Sequence, residues 1–560
     1  MRGLLAFFAL CLQCSAATYY VATNGSDANP GTEEQPWKTI QRAVKYSFPI
    51  QYRSPGDTVL IRGGVYPGNT NGIDINSDVG IGSGESNAPI TIAAYPGEVP
   101  VVCDVTSPYR GVFMKGFSWF VFDGITYSNC YQSVWSESCT NIVFRNCTFG
   151  YMTEADAGYS GVMLWGASQK HTFSNCLFTS WGKITTNCND HGVSISIGDE
   201  TSDNPMWYNL VVSNRFFYGG HDHFQLNSAY NVIRGNLFVN PPHWPTNDLC
   251  FMLPSIGGEP AVTNMYGAWG NRHTKPGDAG TNQVDMRNVF EGNTFLYTGP
   301  PPDDYGAFGI ELGTRRSIYR FNTIAFSLAA GIFFNTSGST SRSTSNAVYG
   351  NVLYGNGLSH LYGGEGMKDY SYGLSMSTFE GRRTNNLVVN NIIWRNLPGN
   401  IDPNILTYQQ FRANFTNDAS DPLFVSTNGI GYVYDAENLP NFRLQSGSPC
   451  IDAGSFLATI ISGSGSGTSF TVDNSLYFSD GNQIVAGDTI QLEGQTATAV
   501  ITANDFENGT LTFTPALTWT TGQGVSLPYS GAAPDFGAFE YSGTTATAAT
   551  VTVGTLNISP

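Results

Sequence analysis

Apolar stretches followed by an asparagine recur eight times along the chain, at intervals of 22 to 57 residues. An apolar or aromatic residue stands three positions before the asparagine in every copy but the second, and two positions after it in every copy but the first. The separations between copies predict a repeating unit of roughly 22–29 residues, which a loop sometimes lengthens. The eight asparagines are Asn146, Asn175, Asn214, Asn236, Asn293, Asn322, Asn351 and Asn391.

The residues around each asparagine alternate between apolar and polar in short runs, which is the period of a β-strand. Each unit carries a second run of this kind, as in SGVMLWG (160–166) and HGVSISIG (191–198). Asn tolerates the left-handed backbone conformation of a sharp corner, and its amide can bond to the asparagine one turn above. Because a unit of this size cannot close its own core, the units must stack. The pattern predicts an all-β parallel β-helix with a column of asparagines, rather than a β-sandwich with Asn-rich turns.

The two ends of the chain indicate how the stack is closed. A short amphipathic helix is predicted from about Pro36 to Ser47, with Trp37, Ile40 and Val44 on one side as a plug for the first turn. Near the other end, Ser/Thr/Gly-rich strands at about 456–530 indicate a small inserted β module. The predicted segments are a signal peptide (1–17), the β-helix with its cap (18–455), the β module with a closing strand (456–541) and a low-complexity tail (542–560).

The composition agrees with this fold and limits the classes of molecule that the protein is expected to bind. The 560 residues include 64 Gly, 35 Phe and 29 Tyr but only 12% charged residues, as expected for a long all-β body with many turns. The net charge of −17 argues against nucleic acid and anionic membranes as partners. An acidic polysaccharide is still compatible with this net charge, since local Arg, Lys or bound calcium can make the electrostatic potential positive within one groove. We expect a monomer.

The first seventeen residues have the features of a secretory signal peptide: one Arg, an apolar run and small residues up to Ala17. No other apolar run is long enough to cross a bilayer, so the sequence predicts an extracellular or periplasmic protein. Eight cysteines would remain after cleavage. Cys147 and Cys176 each follow a repeated asparagine, and in adjacent turns their Cα atoms would lie about 4.8 Å apart, within disulfide range. A disulfide and a pair of buried free thiols both fit this spacing.

Both ends of the chain also resemble a known family. The opening YYVATNGSDANPGTEEQPWKTIQRAV (19–44) with PGDTVLIRGGVY (55–66) is similar to the N-terminal part of secreted right-handed parallel β-helix proteins of the pectate-lyase-like superfamily. FRLQSGSPCIDAG (442–454) and PDFGAFEY (534–541) resemble the two parts of a closing motif of its bacterial members. The resemblance implies a right-handed β-helix and a carbohydrate as substrate. It does not fix the reaction, because this fold hosts many chemistries.

A cluster of histidine and aspartate marks the predicted active site. Six of the seven His fall within 171–273, and several stand with Asp at the starts of two strands. If Val193 aligns with Phe224 in the next turn, Asp190 lies beside His221 and His191 beside Asp222, roughly 5 Å apart. Paired groups at that distance shift each other's pKa and can divide acid and base work. The predicted catalytic residues here are Asp190, His191, His221, Asp222 and His223. A polar ladder or a structural metal site is the alternative.

The longest gap in the asparagine pattern, between Asn236 and Asn293, adds a second group of candidates. Long segments without strand pattern on a regular solenoid are usually functional. Aromatic rings that stack on sugars, mixed with cations, favour a carbohydrate groove. Predicted substrate-binding residues are His243, Trp244, Tyr266, Trp269 and His273, and further catalytic candidates are Arg272 and Lys275.

Family comparison only partly defines the chemistry. HGVSISIG is similar to the Gly-His-Gly strand of polygalacturonases, but the acidic motifs that should precede it are absent. Lyases of this fold typically use a Lys or Arg base on a central strand, where this chain has Asn227, so Arg272, Lys275 or a histidine would replace it. Asp190, Asp222 and Asp248 are candidate ligands for calcium, although no calcium-loop spacing is present.

Three functions remain open from the sequence. A polysaccharide lyase would remove the proton α to a uronate carboxylate while a cation neutralises that carboxylate. A glycoside hydrolase would use Asp190 and Asp222 as its carboxylate pair. A non-catalytic glycan-binding or surface protein would use the same polar face only as a platform. The sequence favours the lyase slightly.

Overall fold

The computed structural model describes most of the chain between residues 16 and 543. The described ranges are 16–44, 53–75, 82–150, 160–181, 193–198, 206–219, 222–226, 228–239, 286–297, 308–334, 343–362, 370–376, 384–428 and 439–543. The predicted signal peptide therefore lies outside the described residues except for Ala16 and Ala17, and so does most of the predicted tail.

Parallel strands stack in a continuous series, so that each turn of chain, here called a coil, adds one strand to each sheet. The first sheet has thirteen strands. They are β1 (Thr18–Val21), β2 (Thr58–Ile61), β5 (Ile90–Ala94), β8 (Ser118–Asp123), β11 (Thr140–Arg145), β14 (Thr172–Ser174), β17 (Leu210–Val212), β20 (Val232–Arg234), β22 (Val289–Glu291), β25 (Ile318–Arg320), β28 (Ala347–Tyr349), β31 (Leu387–Val389) and β33 (Gln410–Arg412).

The second sheet has eleven strands, each following a strand of the first after a sharp corner. They are β3 (Gly64–Pro67), β6 (Pro100–Val105), β9 (Thr126–Cys130), β12 (Thr148–Gly150), β15 (Leu177–Trp181), β18 (Arg215–Gly219), β21 (Leu237–Val239), β23 (Thr294–Leu296), β26 (Thr323–Ala325), β29 (Val352–Tyr354) and β32 (Ile392–Trp394).

The third sheet is divided into a six-stranded and a three-stranded part. Its first part consists of β4 (Ile73–Ile75), β7 (Val112–Lys115), β10 (Val134–Glu137), β13 (Ser160–Trp165), β16 (Val193–Ile197) and β19 (Asp222–Leu226). Its second part consists of β24 (Ile310–Leu312), β27 (Ile332–Phe334) and β30 (Leu374–Met376). The predicted all-β parallel β-helix is confirmed, with the right-handed sense that connections between parallel strands adopt.

Inward side chains of the three sheets form one long core in which like residues stack. Phe122, Phe144 and Phe173 are neighbours in successive coils, with ring centroids 4.8 and 5.1 Å apart. A second column on the next sheet contains Phe216, Phe238 and Phe295, at 4.4 and 4.6 Å. Offset stacking of this kind adds to the free energy of area burial. The aromatic content of the chain is therefore used largely to bind coil to coil.

The N-terminal helix begins later than the sequence predicted. Helix α1 spans Ile40–Val44, whereas Trp37 precedes it in a β-bridge with Val21. The predicted start near Pro36 is therefore wrong, and residues 45–50 lie outside the described part. Trp37, Ile40 and Val44 are nonetheless all buried, as a plug requires. The only other α-helix among the described residues is α2 (Ser359–Tyr362), and single 3-10 turns occupy Asn69–Asn71, Pro403–Ile405 and Ser475–Tyr477.

A buried column of asparagines follows the corner between the first and second sheets. Asn293 shows its bonding: its Oδ1 accepts hydrogen bonds from the backbone N–H (3.0 Å) and the amide (2.9 Å) of Asn236. Its own amide donates to the carbonyl of Ile233 and to Oδ1 of Asn322. Each rung thus satisfies backbone groups that the corner leaves without a sheet partner. The column contains Asn214, Asn236, Asn293, Asn322, Asn351, Asn391 and Asn414.

Two of the eight predicted members stand one position too early. Asn146 and Asn175 have φ of 55° and 53° and share an exposed hydrogen bond of 2.7 Å. The buried positions in those coils belong to Cys147 and Cys176, and the N–H of Cys176 donates to Asn214 Oδ1. The left-handed conformation belongs to the residue before each buried asparagine, since the residue carrying the corner needs it and the ladder member does not. The prediction assigned both properties to one residue.

A second buried column, which the sequence analysis missed, lies at the corner before the first sheet. It contains Asn209, Asn231, Asn288, Asn346 and Asn386, with Ser317 as a shorter member. Its first member is His171, whose N–H donates to Asn209 Oδ1. The imidazole is fully buried: Nδ1 donates to the carbonyl of Gln169 (3.0 Å), and Nε2 accepts from the hydroxyl of Ser136 (2.8 Å). Burial lowers the pKa of His171 to about 4.

The six described cysteines are free thiols, and five of them are buried. Cys147 and Cys176 donate weakly to the carbonyls of Phe122 and Phe144, at 3.6 and 3.5 Å. Of the two sequence interpretations, the buried thiol pair is the one found. Cys188 and Cys250 lie outside the described residues.

The C-terminal β module covers the outer face of the first sheet. Its six-stranded antiparallel sheet contains β36 (Ala458–Thr459), β37 (Gly465–Thr471), β38 (Thr489–Leu492), β39 (Thr498–Asp505), β40 (Thr510–Trp519) and β41 (Gly524–Ser526). Its apolar residues share a cluster with Leu210, Val232 and Val289 of the β-helix. Arg320 is buried at this interface, donating to Asp488 Oδ2 and to Glu291 Oε2 at 2.6 Å each.

The two parts of the predicted closing motif meet although the module separates them. The N–H of Asp452 donates to Asp535 Oδ1 (2.7 Å), and the N–H of Phe536 donates to the carbonyl of Cys450 (3.0 Å). A short antiparallel pair, β34 (Phe424–Ser426) and β35 (Asn441–Leu444), precedes the motif. No helix in the described ranges has the length and hydropathy to cross a membrane.

Removal of one buried rung should destabilise the β-helix strongly. Asn293→Ala leaves two donors of Asn236 and the carbonyl of Ile233 without this partner, and Oδ1 of Asn322 loses the amide but keeps the backbone N–H of residue 293. Several unsatisfied buried groups together cost about 3 kcal/mol or more of unfolding free energy. Urea denaturation followed by circular dichroism measures the loss. As the matched control, Asn175→Gly removes an exposed rung and keeps the positive φ, so it should change the free energy by less than about 1 kcal/mol. Equal losses for the two variants would contradict this account.

The buried neutral histidine predicts acid sensitivity. The pKa of His171 is about 4 in the folded protein and about 6.5 when unfolded, so the unfolded chain binds more protons between these values. Stability should therefore fall as the pH drops from 6.5 to 4, by about 3 kcal/mol from this group. Urea midpoints measured across this range should fall less steeply for His171→Gln. Above pH 7 the two proteins should run parallel, and an unchanged slope below pH 6.5 would contradict the assignment.

Candidate functional site

Most predicted site residues lie outside the described ranges. Asp222 begins β19 and is described by its backbone, and His223 is described in full. The remaining candidates are Asp190, His191, His221, His243, Trp244, Asp248, Tyr266, Trp269, Arg272, His273 and Lys275, together with Asn227. The described strands nevertheless show between which elements of the chain these residues lie.

The register between the two candidate strands differs from the prediction by two residues. Val193 pairs with Asp222, Ile195 with Phe224 and Ile197 with Leu226. The predicted alignment of Val193 with Phe224 is therefore wrong, and with it the expectation that His191 lies beside Asp222. A shift of two keeps every side chain on its own face, so the alternation of apolar residues fits both registers equally well.

His223 lies in the core. Its side chain is fully buried, and its ring centroid lies 6.1 Å from Phe216 and 6.3 Å from Phe238. Both phenylalanines belong to the inward column of the second sheet. An imidazole packed in this way has no contact with solvent, which fits the alternative of a structural polar group better than a role in contacting substrate.

The sequence between a strand of the second sheet and the next strand of the first lengthens directly after the coil of β19. In the coils from β2 to β19 a strand of the third sheet connects the second sheet to the next strand of the first. Between β21 and β22 the corresponding segment is 240–285, which contains all five predicted substrate-binding residues. The first and second sheets continue across this point, with Val232 paired to Val289 and Leu237 to Thr294. By chain order, this segment belongs to the coil that follows β19.

The outer face of the third sheet has two different regions. Close to β19 it is polar: Ser196 is buried and donates to the carbonyl of Gly198 and to Gln225 Oε1, at 3.5 and 3.3 Å. Further from β19 it carries the half-buried aromatic residues Phe113, Trp135 and Trp165. The sequence analysis did not single these out. Their signal is an aromatic residue at an outward position of VFMK, VWSE and SGVMLW, where alternation predicts a polar one.

Charged groups accompany the aromatic region. The guanidinium of Arg110 lies 4.5 Å from the ring centroid of Trp135, and its Nε donates to Gln132 Oε1 at 2.7 Å. Lys115 and Glu137 form an ion pair of 2.7 Å. Burial lowers the pKa of Arg110, but an arginine remains protonated at neutral pH. The face therefore presents fixed charges of both signs beside apolar rings.

The described residues form no cluster of three or more His, Cys, Asp or Glu side chains that could hold a metal ion. Of the predicted calcium ligands, Asp190 and Asp248 lie outside these residues and Asp222 is described by its backbone alone. The calcium site remains a prediction.

Comparison with known proteins identifies the same fold. Residues 19–201 match the family model described as the Pel9A-like right-handed β-helix region. The chain is 34% identical over 101 residues to pectate lyase PEL9 of Emericella nidulans (strain FGSC A4), a match that covers 18% of this chain and 22% of that protein. The match thus spans about a fifth of the length of that curated relative.

Solved structures of similar architecture cover more of the chain at low identity. The crystal structure of pectate lyase Pel9A aligns with 94% of this chain and 97% of its own, at 14% identity and a TM-score of 0.47. A rhamnogalacturonan lyase aligns with 77% of this chain and 97% of its own, at 14% identity and a TM-score of 0.43.

The family model and the three stacked parallel sheets agree with each other and with the resemblance at the two ends of the chain. The protein is a right-handed parallel β-helix protein, and its residues 19–201 match the Pel9A-like β-helix region.

Proposed function

We propose that the protein is a secreted polysaccharide lyase that cleaves a uronate-containing glycan by β-elimination. The observation that carries the proposal is the match of residues 19–201 to the Pel9A-like region, together with 34% identity over 101 residues to a protein named as a pectate lyase. The proposal includes export directed by the predicted signal peptide 1–17.

The order of the strands supports the third sheet as the location of the reaction. Long segments between regular strands are usually functional, and 240–285 separates β21 from β22 in the coil after that of β19. This segment contains Arg272 and Lys275, whose side chains in the neutral form are of the type that lyases of this fold use as the base. His191 and His221, which flank β16 and β19, are the other candidate bases.

β-Elimination requires a base positioned at the α proton and a positive charge near the uronate carboxylate. A base takes the proton α to the uronate carboxylate, the electron pair of that C–H bond forms a carbon–carbon double bond, and the β C–O bond breaks. The departing glycosidic oxygen is then protonated, which leaves one unsaturated end and one new reducing end. A positive group near the carboxylate stabilises the charge that develops on it. Calcium held by Asp190, Asp222 and Asp248 would supply such a charge.

The observed register gives no support to the hydrolase alternative. That alternative depends on Asp190 and Asp222 as a pair one coil apart, with the register aligned on Val193 and Phe224. In the observed register Asp222 pairs with Val193, three positions after Asp190 along the chain. A general base from the segment 240–285 does not depend on that pairing, whereas a calcium site that includes Asp190 and Asp222 does.

Incubation with glycans should distinguish these functions. We expect polygalacturonate or alginate to give ultraviolet absorbance from the unsaturated end together with new reducing ends, and neutral glycans to give neither. If calcium neutralises the carboxylate, chelation should lower the rate at least about tenfold and added calcium should restore it. Reducing ends without ultraviolet absorbance would indicate a hydrolase. Binding without turnover on every glycan would indicate a non-catalytic protein.

Substitution of the candidate bases should separate chemistry from binding. We expect Arg272→Ala or Lys275→Ala to lower kcat by about 10²–10⁴-fold with little change in KM, since a general base acts mainly in the transition state. Lys38→Ala removes an exposed cation near the N-terminal cap and serves as the matched control, with kcat unchanged. If both variants keep the wild-type kcat, the general base is instead assigned to His191 or His221. The corresponding His→Gln variants test that assignment.

A further inference from the structure

The outer face of the third sheet carries a row of large aromatic side chains that the core does not require. The row consists of Phe113, Trp135 and Trp165, one from each of β7, β10 and β13. Phe113 pairs directly with Trp135, and Trp165 pairs with Glu137, two residues further along β10. The inward residues of the same strands, such as Val112, Val134 and Val162, are fully buried. The aromatic row therefore lies on the opposite side of the sheet from the core.

The rings of the row are ordered by contact with one another and with a cation. The centroids of Trp135 and Trp165 lie 5.5 Å apart, with planes tilted by 30°. The Arg110 guanidinium lies 4.5 Å from the centroid of Trp135 and 5.4 Å from that of Phe113. Cation–π contacts of this kind hold both groups in place. Because these rings and Gln132 hold its side chain in one orientation, Arg110 is preorganised.

An open cleft continues the row at its N-terminal end. It has a volume of about 430 Å³ and is bordered by Phe113 and Arg110, by the exposed ring of Tyr109 and by the polar residues Gln41, Asn69 and Asp74. Apolar walls with a few polar groups are typical of sites that bind small molecules or single sugar units. From β4 to β19 the face spans five strand spacings, about 24 Å, so several sugar rings fit along it.

We propose that this aromatic row and its cleft form a set of binding subsites for the polysaccharide chain, distant from the bond that is cleaved. The inference rests on the proposed function for the identity of the ligand and adds where the rest of the chain binds. The apolar faces of successive sugar rings stack on Phe113, Trp135 and Trp165. Arg110 and the polar residues of the cleft hydrogen-bond to hydroxyl or carboxylate oxygens.

The choice of a sugar chain as occupant follows from the face itself. The row is continuous with β16 and β19, where the candidate reaction site begins, so one linear molecule can contact both. The nearby charges, Arg110 and Lys115 against Asp74 and Glu137, balance, which gives no strong field for a highly charged protein partner. Flat half-buried rings at repeating strand intervals match a ligand that is itself a repeat of rings with apolar faces.

Binding and cleavage measured on substrates of different length test the proposal. Affinity electrophoresis in gels containing polygalacturonate, alginate or a neutral galactan measures binding, and the assay above measures cleavage of polymer and of trimers. We expect Trp135→Ala and Trp165→Ala to weaken polymer binding about five- to tenfold and to raise KM for polymer. Cleavage of trimers, which are too short to reach the row, should keep its wild-type kcat. Trp135→Phe keeps a ring in place and should restore most of the binding.

A control variant and the pattern of outcomes separate this proposal from the proposed function. Tyr95→Ala removes a half-buried aromatic ring after β5, outside the third sheet, and should leave binding unchanged. Thermal unfolding of each variant shows whether it is folded. If folded Trp135→Ala and Trp165→Ala bind and cleave polymer like the wild type, the row is not a subsite, whereas the lyase assignment stands. If the wild type binds polymer without cleaving it and these variants lose binding, the lyase assignment fails and the row stands. Absence of polymer binding by the wild type overturns both.

Discussion

The stacking of coil on coil, held at the corners by buried asparagine amides, is the constraint on which the rest of the structure depends. A sharp corner leaves backbone donors and acceptors without sheet partners, and in a buried position each must be satisfied. One asparagine per coil does this for the coil before it: Asn293 bonds the N–H of Asn236 and the carbonyl of Ile233, and its own N–H is bonded by Asn322 in turn. The register at the corner thereby fixes the register of all three sheets. The hydrogen bonds inside the stack therefore also set the positions of the outward side chains.

This network explains how the chain can carry a long insertion without loss of order. Asn236 and Asn293 are 57 residues apart in sequence, whereas Asn293 and Asn322 are 29 apart, yet the amide bonds measure 2.9 and 3.0 Å. Contacts between neighbouring coils do not depend on the length of chain between them. A segment such as 240–285 is therefore free to vary in length and composition, and variable segments on a rigid frame are where binding and catalysis usually develop.

The sequence was sufficient for the fold because the asparagine frame repeats, and insufficient for the site because register needs finer information. Period-two alternation tells which face a side chain occupies, but a shift of two residues leaves that unchanged, so Asp222 was paired with His191 rather than Val193. Asn146 and Asn175 were displaced by one position because the alignment followed asparagine, whereas the apolar frame fails at these two copies and fits Cys147 and Cys176. For the strands, the hydrogen bonds that distinguish the two registers join residues from different coils, and a linear pattern does not contain them. The second column, from Asn209 to Asn386, was missed because its members stand outside the apolar frame that was followed.

The C-terminal module distinguishes the outer face of the first sheet, which it covers, from the outer face of the third sheet, where we propose that a ligand binds. The outer face of the first sheet is apolar from Leu210 to Val389, and exposed patches of that kind require a cover. The module supplies it, and Asp488 with Glu291 neutralises the guanidinium of Arg320, which is buried at this interface and would be costly without a partner. The third sheet differs: its outer aromatic rings are half-buried, separated by charges of both signs, and none of them belongs to the clusters formed with the module. Among the described residues, the apolar face is thus covered by the module, whereas the aromatic rings of the third sheet are only partly covered, which agrees with the proposal that a sugar chain binds them.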